Sequence, residues 1–152
     1  MTNKLQFMIL GIVLCLTGAL HAETVTPSPD QTCLAQVIYH ESGNQPLIGQ
    51  YAVGEVIINR VKIGFATTPC SVVRQRSGKH WQFGSFVFNK NLIPKSRRQY
   101  FYNVAQQVLN NNTNIFLPPN VLYFNNTLFD KRMYTVYAKI GHQYFFTKIR
   151  RG

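Results

Sequence analysis

The chain has 152 residues, with 16 Lys and Arg against 5 Asp and Glu and a formal net charge of +11. That length leaves little room for two full domains, and so few carboxylates exclude schemes that need several acids. The excess of cationic side chains predicts an anionic partner.

Met1-Thr2-Asn3-Lys4 precede an apolar run from Leu5 to Leu20, and His21-Ala22 offer small side chains for a cut after Ala22. The pattern predicts a signal peptide over 1–22, followed by export to the periplasm or beyond the cell. The run is short for a membrane span and no second one follows, so no stable transmembrane anchor is expected, a retained N-terminal anchor being the alternative. Cys15 follows the bulky Leu14, which does not suit a lipoprotein-type cut. Export directs the expected partner away from nucleic acid and towards envelope polyanions: peptidoglycan stem peptides, anionic wall polymers or lipid headgroups. Three basic runs could meet them, Arg74-Gln75-Arg76, Lys95-Ser96-Arg97-Arg98 and Lys148-Ile149-Arg150-Arg151, although a solvated face explains each run taken singly.

Residues 23–30 are polar and contain two prolines, which reads as a flexible lead-in to a single domain over 31–152. Asp30 or Thr32 can cap a first helix from Gln31 to Glu41, and Gly43-Asn44 can end it in left-handed backbone geometry. A second helix begins near Pro46 or Leu47 and runs through Ala52, Val53, Val56, Ile57, Arg60 and Val61, with Gly54 marking a close helix contact. The chain is irregular from Gly64 to Leu92, apart from a short apolar turn at Ser71-Val72-Val73 and an aromatic stretch from Trp81 to Phe88. A third helix is predicted over Lys95–Asn111, with Phe101, Val104, Ala105, Val108 and Leu109 inward. The period then changes to strand-like segments at Val121–Asn125, Tyr134–Ile140 and His142–Thr147, the last two joined at Gly141 as a hairpin. Helices followed by a small antiparallel sheet make an α+β domain. After the predicted cut the only cysteines are Cys33 and Cys70, and pairing them is the simplest arithmetic for an exported chain.

Glu41 carries the strongest chemical signal. At helical spacing it shares a face with Leu34, Val37 and Ile38. A carboxyl among apolar groups keeps its proton more readily than one in water, as general-acid cleavage of a glycosidic bond requires. Spacing alone is equally served by a helix-end Glu with its head in solvent. A two-carboxylate glycosidase needs a second acid, for which Glu55 is the candidate. Glu55 shares a polar strip with Tyr51, Asn59 and Lys62 that reads as solvent-facing, and Asp130 sits in a turn. A single acid suffices where the substrate supplies its own nucleophile, as muramic acid does through its 6-hydroxyl. No zinc signature, phosphate loop or nucleophile elbow is present, so neither a metal nor another cofactor is expected.

Leu34-Ala35, Ile38-Tyr39-His40-Glu41, Pro46, Gly49-Gln50, Ala52-Val53 and Val56-Ile57-Ile58-Asn59-Arg60-Val61, taken in order, resemble the cell wall hydrolase family typified by the SleB-like spore-cortex-lytic enzymes. The likeness continues through Pro69-Cys70-Ser71-Val72-Val73, Gln82-Phe83, Leu122-Tyr123-Phe124 and Ile140–Phe146. It implies a compact lysozyme-like α+β domain that cleaves peptidoglycan glycan strands, commonly by lytic transglycosylation between MurNAc and GlcNAc, with Glu41 as the catalytic acid. It also suggests Gln50, Asn59, Gln82, Phe83, Tyr123 and His142 as polar or aromatic groove residues, for each of which packing or backbone bonding is an equal alternative. The chain departs from the family pattern Ala-Arg-Gly-Glu after the acid: it reads Ser42-Gly43-Asn44-Gln45, so Gln45 stands where a second acid would be. The family's Gln-Phe-Ser becomes Gln82-Phe83-Gly84. Two other readings stay open, a hydrolytic muramidase using Glu55 and a non-catalytic wall-binding module.

Overall fold

A computed structural model describes residues 26–84, 89, 91–110, 116–127 and 132–149; the signal-peptide expectation and Asp130 lie outside them. Four helices, α1 (Pro29–Ser42), α2 (Leu47–Lys62), α3 (Pro69–Val73) and α4 (Lys95–Asn110), occupy the first two thirds of the described chain. The hairpin β1 (Arg76–Ser77) and β2 (His80–Trp81) lies between α3 and α4. A three-stranded antiparallel sheet closes the fold: β3 (Tyr123–Asn125), β4 (Tyr134–Ile140) and β5 (Gln143–Lys148), with β5 in the centre. The α+β architecture is the one the sequence pattern predicts. Among the described residues no helix is long and apolar enough to cross a membrane.

The helices pack because each presents one apolar stripe. Leu34, Val37 and Ile38 of α1, Ala52, Val53, Val56 and Ile57 of α2, and Phe101, Val104 and Ala105 of α4 are buried in one cluster that also takes in Phe145 of β5. Burial of each large apolar side chain contributes about 1.5–3 kcal/mol. The spacing is tight at Gly54: a Cβ there would come within 2.9 Å of Val108 on α4 and 3.2 Å of Ile38 on α1. Gly54 therefore lets α2 approach both neighbours, as the sequence suggests.

The ends of α1 differ from expectation. Ser28, not Asp30 or Thr32, caps the helix, its Oγ accepting from Gln31 N at 3.1 Å, and Pro29 occupies the first turn where its missing N–H costs nothing. α1 thus begins at Pro29, within the segment read from sequence as a lead-in. Asp30 instead accepts a hydrogen bond from Cys70 N at 3.0 Å, beside the Cys33–Cys70 disulfide, whose Cα atoms are 5.2 Å apart. At the other end Gly43 stays right-handed (φ −62°), and Arg97 of α4 donates to its carbonyl at 2.7 Å while lying over the Tyr39 and Phe101 rings. A cation at a helix C-terminus also complements the helix dipole. One member of the second basic run is therefore a structural tie between α4 and α1.

The β4–β5 turn is the hairpin expected at Gly141, which adopts φ +59°. β3 is shorter than expected and pairs with β5, setting Tyr123 opposite Phe146 with their rings stacked at 5.8 Å.

Candidate active site

Glu41 ends α1 at the mouth of a cleft of about 820 Å³. Its side chain is 25% exposed, so it sits at the edge of the apolar face and not within it. His40 places Nδ1 3.0 Å from Glu41 Oε1 and is itself 44% exposed. The helix is fixed under the carboxylate by the sheet: Gln143 Nε2 donates to the Glu41 carbonyl at 2.9 Å. Gln143 Oε1 is buried without a hydrogen-bond partner among the described residues.

The loop between α1 and α2 forms one wall with Asn44 and Gln45. Gln45 Oε1 accepts from His142 N at 3.0 Å, and Gln45 Nε2 donates to Asn44 Oδ1 at 3.1 Å. The residue standing in place of a second acid thus pins the β4–β5 turn, a task for which a neutral carboxamide oxygen serves. The opposite wall comes from Gln82, Phe83 and β3, with Tyr123, Phe124 and Asn125, and Ser77 of β1 contributes as well.

Arg60 of α2 lines the same cleft at only 7% exposure. Its Nε donates to Leu122 O at 2.8 Å and its Nη1 to Gln82 Oε1 at 3.0 Å. Its guanidinium lies over the rings of Phe83 (5.0 Å), Tyr123 (5.5 Å) and Phe65 (5.8 Å). Burial lowers its pKa to about 10, with Tyr123 opposing the shift, so it stays charged at neutral pH. Because the guanidinium is a pure donor, the bond to Gln82 must use the carboxamide oxygen, which fixes the amide with Nε2 turned away from Arg60.

Five of the residues suggested by sequence meet in this cleft: Glu41, Gln82, Phe83, Tyr123 and His142. Gln50 and Asn59 do not. Gln50 is buried, with Nε2 donating to Gln45 O at 3.0 Å and Oε1 accepting from Tyr100 Oη at 3.0 Å. Asn59 is fully buried and donates to Pro118 O and Val121 O, both at 3.0 Å, which holds the approach to β3.

Glu55 corrects the expectation of a solvent-facing strip. It is 7% exposed, and its carboxylate accepts from Phe116 N at 3.2 Å and Leu117 N at 2.8 Å. The loop carrying Phe116 folds over the strip and stacks that ring on Tyr51 at 5.7 Å. Glu55 is absent from the residues lining the cleft. Asn44, Gln45, Arg60 and Gln143 were not singled out as site residues by sequence, although Gln45 was marked as a departure in the motif and Arg60 belongs to the matched Asn59-Arg60 pair.

The segments from Pro46 to Phe146 fall within one family model, Cell Wall Hydrolase, which matches residues 44–146. The chain belongs to the cell wall hydrolase family. The match begins three residues beyond Glu41, so the loop, α2, the cleft's far wall and the closing hairpin carry the membership of this hydrolase. No curated protein and no solved structure gives a significant match.

Proposed function

We propose that this cell wall hydrolase is an exported enzyme that cuts peptidoglycan glycan strands between MurNAc and GlcNAc by lytic transglycosylation. One observation carries the reading: Glu41 is the one carboxylate among the described residues that line the cleft, whereas Glu55 is occupied by backbone N–H groups elsewhere. The usual two-carboxylate cleavage with water as nucleophile places a second acid across the scissile bond, about 5–9.5 Å from the first depending on stereochemistry. Transglycosylation does not.

Glu41 gives its proton to the glycosidic oxygen, and GlcNAc departs with that proton on O4. The cationic character that develops at C1 of MurNAc is then relieved by the sugar's own O6. Glu41, now a carboxylate, takes the O6 proton as the O6–C1 bond forms. The products are a 1,6-anhydro-muramoyl end and a GlcNAc end, no water is consumed, and the acid is regenerated. His40, at hydrogen-bond distance, orients the carboxyl group between the two steps. Tyr123 and Phe124 give the far wall aromatic surface suited to sugar faces, and the neighbouring carboxamides suit hydroxyl and acetamido groups. The Cys33–Cys70 disulfide supports export, since such bonds persist in oxidising compartments.

Mass spectrometry of soluble fragments released from purified peptidoglycan tests this. Anhydro-muramoyl products one water lighter than hydrolysis products, absent with Glu41→Gln, are the expected result. Reducing-end products would replace the mechanism with hydrolysis. Wall binding without release by either protein, at an intact fold, would make the domain a binding module.

A further inference from the structure

Arg60 stands out because a buried charge is normally met by an opposite one. Its partners here are a backbone carbonyl, a carboxamide oxygen and three aromatic faces, all neutral. The carboxylates of the described residues are all engaged elsewhere: Asp30 with Cys70 N, Glu55 with Phe116 N and Leu117 N, and Glu41 with His40. Within the described structure, the guanidinium on the cleft surface therefore has no counter-ion. Beside it Gln82 is fixed with its oxygen towards Arg60, which leaves its Nε2 hydrogens as donors. With Nε and one Nη1 hydrogen already donating, the hydrogens left on Nη1 and Nη2, together with Gln82 Nε2, match the two oxygens of a carboxylate.

We infer that Arg60, with Gln82, forms a subsite for a carboxylate of the bound glycan, and that this carboxylate is the free lactyl group of a muramoyl residue carrying no stem peptide. The inference rests on the glycan-cleaving reading above. A peptide-bearing muramoyl residue has its lactyl group locked in an amide, which is neutral, whereas a peptide-free residue presents the anion on the sugar itself. Arg60 lines the cleft with its guanidinium over the Phe83 and Tyr123 rings, where a carboxylate borne directly on a bound sugar would meet it. The cleft thereby prefers strands from which an amidase-type reaction, one that hydrolyses the lactyl–peptide amide, has already removed the peptides.

Binding measured by calorimetry on the Glu41→Gln protein, which prevents turnover, decides the matter with four probes: a peptide-free GlcNAc–MurNAc tetrasaccharide, the same sugar with its lactyl groups amidated, a peptide-bearing equivalent, and chitotetraose. The peptide-free sugar is expected to bind about tenfold or more tightly than the amidated one and chitotetraose, the scale of a charge-assisted hydrogen bond. Adding Arg60→Gln should erase that preference, and Arg60→Lys should retain only part of it. Equal binding of the free and amidated sugars overturns the inference while leaving the glycan reading intact. Tightest binding of the peptide-bearing sugar overturns the lactyl assignment and moves the anion to the stem peptide. Binding of none of the four overturns the glycan reading itself. The comparison among ligands needs no Arg60 variant, so a substitution that impairs folding does not remove the test.

Discussion

Glu41 and Glu55 lie on adjacent helices, and the structure treats them in opposite ways. Glu55 sits mid-helix under the 116–117 loop, with both of that loop's N–H groups directed at its carboxylate. Glu41 sits at a helix end, a quarter exposed, beside a histidine and facing a cleft. A carboxylate whose oxygens accept from backbone donors is occupied and held in place. One at the edge of a cleft can exchange a proton with something that enters it. On the proposed reading, burial alone is a poor guide to catalytic carboxylates, since the more buried acid is the one bound to backbone N–H groups away from the cleft.

The largest effect that could break this contrast is in activity. Glu41→Gln should lower glycan cleavage by about 10²–10⁴-fold, the usual worth of a general acid–base group, with the melting temperature unchanged. Glu55→Gln should do the reverse: a stability loss of about 1.5–3 kcal/mol by urea denaturation, with turnover per folded molecule kept within a few-fold. Loss of activity in a folded Glu55→Gln protein would bring back the two-carboxylate scheme. Gln45→Glu is a gentler test, because a carboxylate oxygen can still accept from His142 N. Stability should move by no more than about 0.5 kcal/mol, and the released ends should remain anhydro. A switch to reducing ends would mean that one added acid suffices to recruit water.

The smallest effect concerns Arg60. Its folded pKa of about 10 lies below the ordinary guanidinium range, so the folded state loses the proton first as pH rises. Below that window both folded and unfolded states are charged, and the cost of burying the cation is present in full. It is relieved only as pH climbs through about 10 towards the ordinary guanidinium range. The stability difference between wild type and Arg60→Met should therefore be constant from pH 5 to 8, and a slope across that interval would contradict the assignment.

Periodicity made α1, α2, α4 and the hairpin at Gly141 legible, because each pairs an apolar stripe or alternation with recognisable punctuation. The same signal misjudged Glu55. Tyr51, Glu55 and Asn59 look like an outer strip until a loop some 60 residues downstream covers them, and no local pattern carries that fact. The cap was misplaced for a related reason: Ser28 and Asp30 are both good capping residues, and Asp30 was taken by a long-range partner, Cys70. The β1–β2 hairpin is too short and too polar to leave an alternation. In the cleft, motif order located Glu41, Gln82, Phe83, Tyr123 and His142. Arg60 escaped because a positively charged helix residue reads as solvated, and only the three rings brought around it by the Phe65 turn, the segment after β2 and β3 make it a buried one.

The closing hairpin has a consequence for when the site comes into being. Gln45 is joined to His142 across 97 positions and Glu41 to Gln143 across 102, so the wall beside the acid is drawn from the last stretch of the described chain. A chain of which only the helical part has folded carries Glu41 but no finished cleft. Contacts separated so far in sequence also form late, after the loop between them has closed. The proposed site is therefore complete only once β5 is in place, and a chain interrupted before Gln143 lacks one wall of it.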